Sequence, residues 1–411
     1  MKILAISYCL PPMAYPQAVQ IGRLLSYSKM QVCAVSGGNN VDVSGFGAHV
    51  EHHVVPLNEK RGFLERIATR AVPFYGTVPD VYRGWVDAAY KQVEALIANS
   101  GKPDLVATFG EPMSDHLLGL RLKKTFNMPW LAHFSDPWSD NPFRRLQVLS
   151  KPVNCALESR VLKQADVVVF TSSETVDLVF KKYDAALRRK AFLLSHAYDP
   201  TTYGVQPNGS PSGPIMMRYI GNFYGHRTPK PLIAALAELQ RNEPHTLHDV
   251  RVELVGGIPP RMMLSPEWKL LPPGLLVARG SVSYVESLCL MKTSDILLTI
   301  DAPADLSVFF PSKLADYIGA RRRLVGIVPP GTAARIIREC GGRWISPGAP
   351  TRDIACLIRD EIAAARAQRA DVHVPAQPER EDNRYAIANV APVFDDLCRK
   401  TIEISQAWRV S

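Results

Sequence analysis

Lys313 and Asp316 stand three residues apart in residues 302–326, APADLSVFFPSKLADYIGARRRLVG, where a loop turns into a helix. The preceding run DILLTID, residues 295–301, is apolar from Ile296 to Ile300 and predicts a short buried strand. Phe309, Phe310, Pro311 and Ser312 predict a turn with Ser312 as the N-cap, and a helix from Leu314 onward. Lys313 and the backbone N–H groups of that first turn then form a positive helix end suited to an anion. Asp316, one turn on, projects from the same face and suits hydroxyl groups. An anion carried on a body with hydroxyls describes a nucleotide sugar. The plainer alternative is a capped helix bearing a solvated Lys/Asp pair.

The run from Pro311 to Tyr317 resembles the donor-binding signature of family 4 glycosyltransferases, in the branch that reads P-S-K-L-x-E/D-Y instead of the commoner E-x7-E. The resemblance implies that Asp316 binds the ribose hydroxyls, as the second acid of E-x7-E does. The first acid, which holds the hydroxyls of the donor sugar, falls on Val308, with Asp305 and Ser307 as nearby alternatives. A second segment, IGNFYGHRTPKPLIAAL (220–236), places Arg227 and Lys230 between a strand and the following helix. In the family pattern G-R-x(5)-K the two cations clamp the donor diphosphate. Aligned here, Arg227 takes the lysine position, Asn222 takes the arginine position, and Lys313 would restore the second charge. Two surface cations beside a proline turn is the bland reading of the same residues. VELVGG (252–257) and ARGSVSY (278–284) end strands with glycines that let backbone approach a ligand. The resemblance implies that Gly256, Gly257 and the backbone near Val282 cradle the nucleobase; Ser312 also counts among the donor-binding candidates.

Acceptor-side candidates lie in the first half. YCLPPMAYPQAVQIGRLL (8–25) carries Tyr15-Pro16 where the family has a glycine pair, and Gln17 supplies donors there. HFSDPWSDN (133–141) is similar to a D-P-W signature of bacterial polysaccharide members. Asp136 is then the carboxylate that orients or deprotonates an acceptor hydroxyl, His133 lies nearby, and an Asx-turn cap before Pro137 is the structural alternative. In FGEPMSDH (109–116), Glu111 and Ser114 either cap the next helix, the favoured role, or meet the acceptor. His52 and His53 have no third ligand at useful spacing, and no D-x-D flanked by apolar strand residues occurs, so no divalent metal or other cofactor is expected.

These residues need strand ends to carry them. In the first half, KILAIS (2–7), VCAVSG (32–37), LVATFG (105–110), PWLAHFS (129–135) and DVVVFTS (166–172) predict strands that alternate with helices over 19–27, 114–125 and up to 164. In the second half, MMRYIG (216–221), VRVELVGG (250–257), LLVARG (275–280), DILLTID and RLVGIV (323–328) repeat the pattern with helices over 232–243, 284–292 and 332–340. Such alternation predicts parallel sheets covered on both faces. The linker QPNGSPSGP (206–214) separates the halves. The fold class is therefore α/β of GT-B type: two doubly wound Rossmann-like domains, with ligands in the cleft between them. Residues 1–200 form the acceptor domain, 201–384 the nucleotide-sugar domain, and 385–411 a C-terminal helix returning to the first.

A chain of 411 residues with 46% hydrophobic and 21% charged residues suits two ordinary globular domains, and no apolar run is long enough to span a membrane. Seven scattered cysteines without C-x-x-C are expected to be reduced thiols in a cytoplasmic protein. The net charge of +9 is spread over both halves, so it is not a nucleic-acid tail; it suits anionic small substrates or an anionic membrane surface. The segment 59–85 mixes Phe63, Leu64, Ile67 and Val72 with Lys60, Arg61, Arg66 and Arg70. It is either a bilayer-surface helix, placing the protein at the inner face of the membrane, or a surface helix with its apolar face in the core.

Together these features predict a hexosyltransferase that moves sugar from a nucleoside diphosphate to a saccharide or polyprenyl-diphosphate-linked acceptor in surface polysaccharide assembly, and the resemblance to family 4 implies that it does so with retention. A hexosamine 2-epimerase of the same architecture and a catalytically degenerate nucleotide-sugar-binding protein are the alternatives.

Overall fold

The computed structural model describes residues 1–13, 15–38, 46–57, 78–142, 150–203, 213–370 and 383–410. The basic residues of segment 59–77 and most of the 206–214 linker lie outside them. Contacts divide the chain into two units, Met1–Ala197 with Ile387–Ser411, and Tyr198–Ala386.

The first unit holds seven strands: β1 Lys2–Ile6, β2 Gln31–Gly37, β3 Val50–Val55, β4 Leu105–Gly110, β5 Trp130–Phe134, β6 Val167–Phe170 and β7 Ala191–Leu193. They pair in parallel in the order β3-β2-β1-β4-β5-β6-β7. β4, β5 and β6 are buried at every position, which is why they appear in the sequence as unbroken apolar runs. Helices cover both faces. The helix Ile387–Val410 packs Ile387, Val390, Phe394 and Leu397 into the core below β1, β4 and β5. Asp395 on that helix accepts from Ser28 Oγ at 2.6 Å and from Lys29 N at 3.0 Å, fixing it to the end of the helix Pro16–Tyr27.

The second unit holds β8 Ile215–Ile220, β9 Val250–Val255, β10 Leu276–Arg279, β11 Ile296–Ile300, β12 Arg323–Ile327 and β13 Arg343–Ile345, all parallel, in the order β10-β9-β8-β11-β12-β13. The helix Thr351–Ala370 lays Ile354, Leu357, Ile358, Ile362 and Ala365 on this sheet, at helical spacing. In each unit the order reverses between two neighbouring strands, β1 and β4 in the first and β8 and β11 in the second. Chains leaving such a pair diverge to opposite faces and open a crevice at the carboxyl ends, where ligands bind in doubly wound sheets.

Candidate active site

At the β8/β11 reversal the donor-side candidates converge. Gly221 follows β8 at φ 148° and Gly256 follows β9 at φ 122°, backbone conformations that favour glycine. A Cβ on Gly256 would stand 2.4 Å from the Gly221 carbonyl oxygen, and one on Gly221 would stand 2.9 Å from Lys313 Nζ. The two strand ends can therefore close on each other, and on Lys313, only without side chains. Asn222 staples them: its Oδ1 accepts from Gly257 N at 2.8 Å, while Phe223 N donates to Gly257 O at 2.9 Å. The arginine position of the family pattern is thus filled by a loop-holding amide. The Gly256 amide is likewise engaged, with Arg279 O at 2.9 Å, so these glycines contribute close approach and not free N–H groups.

Arg227 lies in the loop after β8 and gives Nε and Nη2 to Asp301 Oδ1 at 3.1 and 2.8 Å, and Nη1 to the Tyr224 hydroxyl at 3.2 Å. Asp301 immediately follows β11 and its side chain is 1% exposed. Lys313 sits opposite, with its ammonium 3.7 Å from the Tyr219 ring centroid. Among the described residues this buried Nζ has no hydrogen-bond partner. Burial, followed by the positive charge of Arg227, holds its pKa well below the usual lysine value, with Asp301 opposing.

The helix Ser312–Ala320 brings Lys313 there. Its N-cap is Pro311, with φ −60° and ψ 126°, and no side chain caps it, so the expectation of Ser312 as N-cap is corrected: Ser312 is the first helical residue. Leu314 N donates to Pro311 O at 2.9 Å, so the anion-binding capacity of this turn rests on the N–H groups ahead of it. Tyr317 accepts the Ile220 N–H at 2.8 Å and so pins this helix to the end of β8. Asp316 is buried, and the Tyr284 hydroxyl donates to its Oδ1 at 3.2 Å. That bond ties the helix to the segment carrying Val282, itself half-buried against the same core. Val308 is buried and Asp305 exposed, while Ser307 Oγ points to Asp301 Oδ2 at 3.5 Å. Lys230 opens the helix Lys230–Asn242 and is exposed.

The acceptor-side candidates gather at the β1/β4 reversal and at the end of β5. Tyr15 is the N-cap of the helix Pro16–Tyr27 and is 53% exposed, while Gln17 Nε2 donates to Phe109 O at 3.1 Å. Glu111 follows β4 with φ 75°, a left-handed backbone rare for a side-chain-bearing residue. Met113 is the N-cap of the helix Ser114–Phe126, and its side chain makes no capping bond. Asp80 supplies one instead, accepting from Ser114 N at 2.9 Å and Ser114 Oγ at 2.6 Å. Asp136 is half-buried after β5. Its segment is anchored by fully buried Trp138, whose Nε1 donates to Asn154 Oδ1 at 2.7 Å, and by Ser139 N, which donates to Glu158 Oε2 at 2.8 Å. His133 belongs to the core: it is 3% exposed, and burial, with His196 second, lowers its pKa to about 3.

Three groups were not anticipated. Asp301 is the first; a carboxylate one residue past an apolar strand, at a β8/β11 reversal, was the available signal. Asp115 is the second: fully buried, it accepts Tyr8 N at 2.9 Å through Oδ2, its Oδ1 has no partner among the described residues, and burial pushes its pKa well up. The third corrects the expectation that His53 lacks companions. Cross-strand pairing brings Cys33, Glu51 and His53 within 4.8 Å of one another, with the His53 ring 2.9 Å from Glu51.

No protein-family model matches the chain, and no curated protein matches it by sequence. Solved structures do. Anabaena HepE crystallised with UDP matches with a TM-score of 0.60 at 15% identity, over 100% of this chain and 98% of that one. WaaG, a glycosyltransferase involved in lipopolysaccharide biosynthesis, matches at 0.57 and 15%, over 98% and 99%. A candidate UDP-N-acetylglucosamine 2-epimerase from Listeria monocytogenes matches at 0.60 and 10%, over 98% and 96%. At such identities the likeness defines the fold, which is GT-B with its two Rossmann-like domains.

Proposed function

We propose that this protein is a glycosyltransferase that uses a nucleoside-diphosphate sugar, the second unit holding the donor and the first the acceptor. The observation that carries the reading is the buried Lys313 Nζ beside Arg227, without a hydrogen-bond partner among the described residues, on the first turn of a helix whose N-cap makes no side-chain capping bond. A diphosphate supplies the negative charge that this arrangement lacks. The match to WaaG, described as a glycosyltransferase, and to a structure crystallised with UDP supports the same reading.

In the reaction proposed, Arg227, Lys313 and the helix N-terminus stabilise charge developing on the leaving diphosphate, the main term in such catalysis. Three positive elements perform this task without requiring a divalent ion. Asp316, oriented by Tyr284, holds the ribose hydroxyls. Asp136 positions the acceptor hydroxyl, which attacks from the face the diphosphate leaves, so that configuration is retained. A saccharide or polyprenyl-linked saccharide acceptor, in surface polysaccharide assembly at an anionic membrane face, suits the excess positive charge. Among the described residues, no helix is long and apolar enough to cross a membrane.

The match to the candidate epimerase favours a second reading, isomerisation of the donor sugar without an acceptor. Incubation with UDP-, GDP- and ADP-sugars separates the two. Transfer releases nucleoside diphosphate together with a glycosylated acceptor. Conversion of the donor to its C2 epimer, with no acceptor needed, contradicts transfer.

A further inference from the structure

The donor region holds two basic side chains, Arg227 and Lys313, and one carboxylate, Asp301, which hydrogen-bonds Arg227 and acts electrostatically on Lys313. Asp301 takes two N–H groups of Arg227 on Oδ1 and the Ala302 N–H at 2.8 Å on the same oxygen. Lys313 is faced by Tyr219 from β8, by Arg227 from the loop after β8, and by Asp301 from the end of β11. On its own helix, Asp316 is engaged by the Tyr284 hydroxyl. Arg227 is thus gripped along its Nε–Nη2 edge, with Nη1 on the Tyr224 hydroxyl at 3.2 Å, which fixes the direction in which the guanidinium meets an anion.

We propose that Asp301 is the positioning residue of this pocket. It clamps Arg227 so that the guanidinium faces an incoming diphosphate in one orientation, and it adds a negative charge to the surroundings of Lys313. The inference rests on the donor-binding reading. Without ligand, a buried ammonium next to Arg227 is disfavoured; with Asp301 and a diphosphate present, the charged form is restored and a proton is taken up. Asp301 thereby sets the pH at which binding is lost.

The test is calorimetric titration of the full chain with inorganic pyrophosphate and with UDP, GDP and ADP, from pH 6.5 to 9.5, for wild type and Asp301→Asn. Asparagine keeps the size and one acceptor but removes the charge. Because Asp301 raises the proton affinity of Lys313, its loss moves the alkaline fall in affinity to lower pH. The expected result is binding about tenfold weaker or more at pH 7.5, with the alkaline limb displaced downward by about one pH unit. Affinity equal to or tighter than wild type, or an alkaline limb that does not move, overturns the role of Asp301 while the donor reading stands. A wild-type protein that binds none of the four ligands overturns the donor reading itself. If Asp301→Asn does not fold, wild-type titrations at pH 8.5 in buffers of different ionisation enthalpy decide, with ADP, whose diphosphate is fully ionised there: proton uptake on binding supports the inference, and none overturns it.

Discussion

The Lys313 ammonium stands 3.7 Å above the centre of the Tyr219 ring, and no hydrogen-bond acceptor among the described residues reaches it. The aromatic face returns part of the lost hydration energy, about 0.5–2 kcal/mol. It cannot replace a full hydrogen-bond shell. A site that keeps a lysine nitrogen in this condition is organised for an anion that arrives later and restores its charged form.

Arg227 carries the second charge. Arg227→Ala is expected to lower turnover by about 10²–10³-fold, the scale seen when one stabiliser of developing charge is removed, and to weaken nucleoside-diphosphate binding. Steady-state kinetics with a working donor will check this; near-normal turnover would remove Arg227 from the phosphate site.

Asp316→Ala is expected to raise the KM for donor, because ribose contacts are made in the ground and transition states alike. Tyr284→Phe, which removes the hydroxyl that orients Asp316, should shift KM in the same direction by less. A change confined to kcat would assign chemistry to this carboxylate and contradict a ribose-holding role.

The strands were legible because buried parallel strands are short apolar runs, as in DILLTID and DVVVFTS. β7 and β13, at three residues each, offer too little pattern to detect. The helix Thr351–Ala370 carried the helical spacing Ile354, Ile358, Ile362, but its alanines and interleaved charges dilute that signal. At the site, Lys313 and Asp316 were visible because one helical turn sets their relation. The pairing of Arg227 with Asp301 spans 74 residues and exists only once β8 and β11 lie side by side, so no local pattern encodes it. His133 is the converse case: a strand position next to a loop looks exposed in sequence, but the fold buries it beside the Phe109 ring of the neighbouring strand.

Asp136→Asn should leave stability nearly unchanged, since asparagine keeps the capacity to hold the turn before Pro137. Sugar transfer should fall about 10²–10⁴-fold if the carboxylate orients or deprotonates the acceptor, with donor affinity intact. A variant with a lowered Tm and normal transfer would make Asp136 structural only.

The first unit should be acid-sensitive. Burial lowers the pKa of His116 and His133 to about 3 and of His196 to about 4, from an ordinary 6.5. Below pH 6.5 the unfolded chain protonates these rings and the native chain does not, so stability is lost as pH falls. Each ring contributes about 1.4 kcal/mol per pH unit at most. Asp115, whose raised pKa favours the native state as pH falls, offsets part of this. Urea midpoints between pH 6.5 and 5 should therefore decline, and His116→Gln should flatten the slope. A slope that His116→Gln leaves unchanged would show that the ring titrates normally in the folded protein.

Calorimetric titration of the wild-type chain and Lys313→Met with UDP, GDP and ADP tests the central claim most directly. Methionine is apolar and of similar length, so the fold should persist while the buried charge is gone. The account predicts that wild type binds at least one of the three at one site per chain, that saturating ligand raises its Tm by linkage, and that Lys313→Met loses this binding at least tenfold. Absence of binding by wild type, or equal affinity in Lys313→Met, would contradict it.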